Sequence, residues 1–204
     1  MVEGQIKSVD FKDIITKEAN SLKYVATNID YNQVLQVFNL IKSCHGKVII
    51  SGCGTSGMAA KKIAHTLNVV EQPALYLSPA DTPHGGGGVV EQNDLVILIS
   101  KGGQTEEINK ELKICKNRKA KIVGVTEKAD SFLAQNSDCI LQIIVDQEAD
   151  DFHMMATSST LAVISVFDAI SVMIARNKNY SQKEFLKIHP GGEVGQKLKL
   201  NVDK

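Results

Sequence analysis

The sequence has no excess of either charge: its 204 residues include 23 Lys and Arg against 23 Asp and Glu. It therefore lacks the basic field that a nucleic-acid binder or membrane-surface protein presents, and any anionic ligand must be held by local groups. No C-x-x-C pair or cysteine ladder occurs. Cys44, Cys53, Cys115 and Cys139 stand far apart, as expected of reduced thiols in a cytosolic protein. Residues 1–13 are polar and charged, with no basic stretch followed by an apolar run, so no signal peptide is read there and a cytoplasmic location is expected. Nor does any segment reach the roughly 20 apolar residues of a membrane span. The most apolar one, 161–175, is interrupted by Ser165, Asp168 and Ser171 and reads as a helix buried in protein, with no membrane partner. Internal repeats, low-complexity stretches and Pro/Gly/Ser linkers are missing too, and the length fits one domain with a sizeable core.

What is present is an alternation of periods. Residues 11–29 carry Ile14, Ile15, Leu22 and Val25 at helical intervals, and 31–44 repeat the pattern with Val34, Leu35, Phe38 and Ile41. After these two N-terminal helices (11–44), short β-rich runs at 48–51, 74–77, 95–100, 122–126 and 140–145 alternate with helical stretches near 58–68, 105–117 and 131–136. A long apolar helix at 157–176 and a shorter one at 182–188 precede the tail. Strands alternating with helices predict a parallel sheet covered on both faces, hence an α/β three-layer sandwich: a core over 47–146, then C-terminal helices and tail over 157–204. In such sheets ligands sit beyond the carboxyl ends of the strands, at a switch in strand order.

Two of the loops at those ends carry a chemical signal. After the first strand comes Ser51-Gly52-Cys53-Gly54-Thr55-Ser56-Gly57, which satisfies G-x-G-x-x-G and runs into a helix. Its dinucleotide reading needs an acidic residue at the end of the next strand, and that strand ends in Ser78 and Pro79. The third strand leads into Ser100-Lys101-Gly102-Gly103-Gln104-Thr105, followed by another helix. Glycines such as Gly54 and Gly103 admit a phosphate to the backbone N–H groups, hydroxyls at Ser100 and Thr105 can donate to it, and a helix N-terminus favours its charge. Two such loops in one sheet describe a monophosphate cradle better than a pyrophosphate clamp. The plainer alternative is that Ser100 and Thr105 only cap the helix.

Together with the tail His189-Pro190-Gly191-Gly192, these loops resemble those of SIS (sugar isomerase) domain proteins, most closely the arabinose-5-phosphate isomerase group, over residues 34–198. Pro79-Ala80-Asp81 before His84-Gly85, and Gln147-Glu148-Ala149, extend the likeness. The resemblance implies a flavodoxin-like five-stranded parallel sheet between helices, assembled as a homodimer or homotetramer with composite active sites. It further implies a phosphosugar held by Ser56, Ser100, Thr105 and the 157–160 helix start with Thr157 and Ser158, and no cofactor. Members commonly carry paired regulatory domains after the tail. This sequence ends at Lys204, which implies an isolated catalytic-type domain or a shortened form of a longer chain.

Aldose and ketose phosphates interconvert through an enediol, which requires a base and an acid. By resemblance, Glu148 is the base and His189 the ring-opening or proton-shuttling group, with His84 near the sugar. A Glu suits the first role when burial lifts its pKa toward neutrality. On the residues alone, Glu148 lies in a charge run that also reads as a solvated loop, and His189 in a motif that also reads as a turn. His45, His65 and His153 form no ligand pattern, so no metal site is expected.

Two departures bear on activity: Thr55 stands where the isomerases carry Lys, and Gln104 where they carry a Glu. Gln can hydrogen-bond but cannot take a proton. Lys101 can restore the positive charge from the other loop. A His often found before Pro-Ala-Glu is here Ser78. Three readings follow: a sugar-phosphate isomerase, a catalytically silent SIS module that senses a sugar phosphate, and an NAD(P)-binding oxidoreductase.

Overall fold

The computed structural model describes residues 7–202. Two helices, α1 (Ser8–Asn28) and α2 (Tyr31–Lys42), precede the sheet. Asp30 starts α2 by accepting the Asn32 amide at 2.8 Å, which satisfies one of the free donors at that end. Five strands follow: β1 (Val48–Gly52), β2 (Ala74–Tyr76), β3 (Leu95–Ile99), β4 (Lys121–Thr126) and β5 (Cys139–Gln142). Between and after them run α3 (Gly54–Val69), α4 (Glu106–Asn117), α5 (Phe132–Asn136), α6 (Ser158–Asn177), α7 (Gln182–Ile188) and α8 (Gly192–Val202).

The sheet is parallel throughout, in the order β2-β1-β3-β4-β5. Period-two alternation divides its side chains between two apolar layers. Val48, Ile50, Ile97, Val123 and Leu141 face α2, α3 and α6, while Ile49, Val96, Leu98 and Ile122 face α4 and α5. The expected three-layer α/β sandwich is the one observed. Because β1 is flanked by β2 on one side and β3 on the other, the chain reverses direction across the sheet there, opening a crevice beyond the ends of β1 and β3.

Several elements differ from the sequence reading. The glycine loop after β1 runs straight into α3, which begins at Gly54, a residue of left-handed φ +55. The segment around His84 is two 3-10 turns, Thr82–His84 and Gly86–Val89. β5 stops at Gln142, whose amide is taken by the Gln33 side chain at 2.8 Å. The tail forms α8, entered through Gly192 at φ +68. In the most apolar helix, α6, Phe167, Ile170 and Ile174 are buried against its neighbours, while Val172 and Met173 stay exposed. The apolar stripe of α1 is likewise covered only in its second half: Val25 is buried, whereas Phe11, Ile14 and Ile15 face outward.

Candidate functional site

Three helix N-termini meet at the carboxyl edge of the sheet, and they are treated differently. Cys53 and Thr105 occupy the cap positions of α3 and α4, and neither side chain makes a capping hydrogen bond. The Thr105 hydroxyl instead pairs with that of Ser100 at 2.7 Å, and Ser100 Oγ accepts the Gly103 amide at 3.1 Å. The capping alternative for these two hydroxyls is thereby corrected: they brace the turn and leave the first amides of α4 without a side-chain partner. Gly103 is required by this geometry, because its φ is +65 and a Cβ there would stand 2.1 Å from Ser131 Oγ. Gly52 and Gly57 serve close packing, since a Cβ on Gly57 would lie 2.6 Å from the Gly52 carbonyl oxygen.

The third N-terminus, that of α6, is occupied from within. Glu148 is 2% exposed, and both its oxygens are engaged. Oε2 accepts the Thr157 amide at 3.0 Å, the Thr157 hydroxyl at 3.2 Å and the Ser159 amide at 3.1 Å. Oε1 accepts the Ser159 hydroxyl and, at 2.5 Å, Lys101 Nζ. Burial pushes this carboxyl up, but Lys101 and the Ser159 donors outweigh it and hold it at about 2. The expectation of a Glu148 poised near neutrality is thus corrected, because five donors stabilise the ion. Thr157 is spent on Glu148, and Ser158 is wholly buried, its hydroxyl without a hydrogen-bond partner. Ser159 and Thr160, further along α6, line the cavity, their hydroxyls donating to Glu148 Oε1 and to the Ala156 carbonyl.

That cavity, of about 40 Å³, is lined by Ser56, Lys101, Thr126, Glu127, Ser159 and Thr160 among others. The segments after β1 and β3 both border it, through Ser56 and Lys101, whereas Ser100 and Thr105 do not line it. Lys101 and Glu127 also line an adjoining open cleft of about 480 Å³, together with Asp146, Gln147, Glu148 and His153. This size falls within the range of small-molecule sites. Ser21 of α1 holds the cleft's far wall by donating to Asp146 at 2.5 Å and to the Gln147 carbonyl at 3.1 Å.

Glu127 is the site residue that sequence reasoning missed. It follows β4 directly, and the signal that could have found it is an acidic residue immediately beyond a buried strand. Burial pushes its carboxyl up and Glu148 adds to the rise, while Lys101, Lys128 and the Val145 backbone oppose it. Other expected residues are not in the cavity. Thr55 and Gln104 are exposed on the first turn of α3 and in the turn before α4. His84 is exposed at the end of its 3-10 turn, and His189 caps α7 with its ring against Phe185, 5.4 Å between centroids. Neither imidazole lines the cavity or the cleft. β2 is followed by Leu77 and Ser78, so no carboxylate stands at its end to hold a nucleotide ribose. Among the described residues, no group of three His, Cys, Asp or Glu is placed to hold a metal ion.

Comparisons with known proteins agree with this geometry. The profile of the SIS domain matches residues 40–173. An arabinose 5-phosphate isomerase of Escherichia coli, KpsF, is 32% identical over 191 residues, covering 94% of this chain and 60% of that one. A crystal structure from Listeria monocytogenes, provisionally named a sugar-phosphate isomerase, is 39% identical with a TM-score of 0.89, covering 92% of this chain and 100% of that one. A protein of E. coli CFT073 solved in complex with arabinose 5-phosphate is 28% identical with a TM-score of 0.86, covering 91% and 100%. The chain spans only 56% and 60% of the length of the first two curated relatives it matches.

Proposed function

The chain belongs to the SIS domain family, and from that membership and the geometry of its site we propose that it binds a phosphorylated sugar and interconverts its aldose and ketose forms. One observation carries the reading: Ser56 in the uncapped first turn of α3 and Lys101, in the turn that leads to the equally uncapped α4, line one cavity beyond the strand ends. Free N–H groups, a helix dipole and an ammonium together favour an anion of phosphate type. Ser56, Ser159 and Thr160 line the same cavity, and no hydrogen bond among the described residues engages the Ser56 hydroxyl. The adjoining cleft, rimmed by Lys101, Glu127, Gln147 and His153, suits the hydroxylated carbon chain. The relatives' printed activities point to the same substrate class.

In this reading a base removes the proton beside the carbonyl, and Lys101 stabilises the oxygen on which charge develops. Glu148, tied to five donors, anchors Lys101 and the start of α6. His84 and His189 lie outside the cleft of their own chain, and reach a site only by contributing to that of a neighbouring copy. We propose such an assembly, a homodimer or homotetramer. Its support is the uncovered first half of α1 and an apolar groove of about 340 Å³ between α2 and α6, lined by Tyr31, Leu35, Phe38 and Met173. Residues 1–204 are read as one SIS unit working in the cytoplasm, with no nucleic-acid or membrane partner.

Incubation of the protein with pentose and hexose phosphates, including arabinose 5-phosphate, should produce the corresponding ketose phosphates. Absence of turnover with every one of them overturns the isomerase assignment. The sensing reading is favoured by exposed Thr55 and Gln104 and by the closed hydrogen-bond set of Glu148. It predicts a ligand-dependent rise in melting temperature with sugar phosphates and no turnover.

A further inference from the structure

We propose that Glu127 is the carboxylate that moves the proton between the two reacting carbons, with Glu148 serving as the fixed anchor of Lys101. This assignment rests on the isomerase reading above.

The two carboxylates share one ammonium but differ in what remains free. Lys101 Nζ is 2.5 Å from Glu148 Oε1 and 3.8 Å from Glu127 Oε1, so its hydrogen bond goes to Glu148 alone. Both oxygens of Glu148 are already accepting, so taking a proton from carbon would require it to give up one of these hydrogen bonds, and they hold its basicity low. Glu127 Oε1 is shut off from solvent and has no hydrogen-bond partner. An unpartnered buried acceptor costs folding free energy, and such groups persist where a ligand or a reaction uses them. Its side chain is 18% exposed and borders both the small cavity and the cleft, so it stands where the phosphate-binding edge meets the place of the carbon chain.

Its backbone is held on both sides. The Glu127 amide donates to the Lys101 carbonyl at 2.9 Å, and the Glu127 carbonyl accepts Gln142 Nε2 at 2.9 Å. Thr126 Oγ1 donates to the same Lys101 carbonyl at 2.9 Å. The residue is thus fixed relative to the turn after β3 and to the end of β5, which is the rigidity a proton-transfer group needs. The same burial that leaves Oε1 unpartnered also raises the basicity of the carboxylate.

The step balances without a co-reactant. Glu127 takes the proton from the carbon beside the carbonyl; the C–H pair becomes the C=C bond, and the carbonyl π pair moves onto oxygen next to the Lys101 ammonium. The neighbouring hydroxyl then passes its proton to that oxygen and re-forms a carbonyl, while protonated Glu127 returns its proton to the former carbonyl carbon. The product is an isomer of the substrate and the carboxylate is regenerated.

The test uses the full chain with whichever sugar phosphate the wild type converts. Glu127→Gln keeps the shape of the side chain and should lower kcat by about 100-fold or more with KM changed less than about threefold. Deuterium uptake from D2O at the reacting carbon should fall in parallel, and Glu127→Asp should restore part of the rate. A Gln variant within about threefold of wild-type kcat, or one that raises KM alone, overturns the assignment while leaving the isomerase reading intact. A wild type that converts no sugar phosphate overturns both. If the Gln variant does not fold, Glu127→Asp decides instead. Its carboxylate is withdrawn by one methylene, so a folded Asp variant must lose at least about tenfold in kcat, and full activity in it sinks the proposal.

Discussion

Lys101 Nζ lies 2.5 Å from Glu148 Oε1, joining the turn after β3 to the loop that leads from β5 into α6. The pair closes the carboxyl edge of the sheet on one side and places the ammonium in the wall of both the cavity and the cleft. Without a ligand, the Lys101 ammonium is paired with Glu148, while 40% of its side chain stays exposed to the cleft.

Replacing Lys101 should therefore act on ligand and protein together. Lys101→Met is expected to weaken binding of a sugar phosphate by about tenfold or more, as loss of a charge-assisted hydrogen bond does. Calorimetric titration with the converted sugar phosphate checks this. Unchanged affinity would remove Lys101 from the site.

Glu148 carries a signature in acid. Its folded pKa of about 2 is below the ordinary 4.5, so the stability it contributes is present above 4.5 and is lost as pH falls through about 2. The difference corresponds to roughly 3 kcal/mol. Urea midpoints measured from pH 6 down to pH 2 should fall for the wild type and stay flatter for Glu148→Gln, which should already be destabilised at pH 7.

Glu111 acts in the opposite sense. It is fully buried in α4, accepts the Ser51 hydroxyl at 2.5 Å through Oε2, and leaves Oε1 without a partner. Burial pushes its carboxyl up to about 7, with Ser51 and Thr82 opposing. The charged form is disfavoured in the folded protein, so stability is greatest below 4.5, declines as pH rises to about 7 and is level beyond. Glu111→Gln should match the wild type near pH 4 and exceed it at pH 8, as read by thermal melts at the two values.

Two glycines with positive φ should respond unequally to alanine. At Gly54 (φ +55) no atom lies within 4 Å of a Cβ, so Gly54→Ala should cost only the left-handed penalty of about 1–2 kcal/mol. At Gly103 (φ +65) a Cβ would meet Ser131 Oγ at 2.1 Å and Thr126 Oγ1 at 3.0 Å. Gly103→Ala should cost about 1–3 kcal/mol more and displace the Lys101 turn. Denaturant midpoints of the two variants give the ranking.

Assembly can be tested at the groove between α2 and α6. Introducing Leu35→Glu together with Met173→Glu should shift the sedimenting species to the monomer, since both side chains are exposed in the single chain and apolar. A wild type that already sediments as a monomer at micromolar concentration would rule out the proposed homodimer or homotetramer.

The five strands were legible in the sequence because each is a short apolar run bounded by polar turns, and burial on both faces makes such runs continuous. The turns after β1 and β3 were legible because glycines and hydroxyls cluster there. α8 was not, since its apolar residues are spaced over a short, mostly exposed helix that begins on a glycine pair. Ser158 and Ser159 could not be told apart by sequence, because one step along a helix turns a side chain by about 100°, from core to cavity.

The sequence by itself determined the layer architecture, the strand count and the edge of the sheet at which the cavity and cleft open, since these follow from local period and turn chemistry. Only the tertiary structure decided which of the two carboxylates keeps an oxygen without a hydrogen-bond partner. Glu127 and Glu148 are 21 positions apart, and each is an ordinary carboxylate in isolation. The fold brings Lys101, Thr157 and Ser159 onto one of them and none of their hydrogen bonds onto the other, and proton affinity is set by such neighbours rather than by residue type.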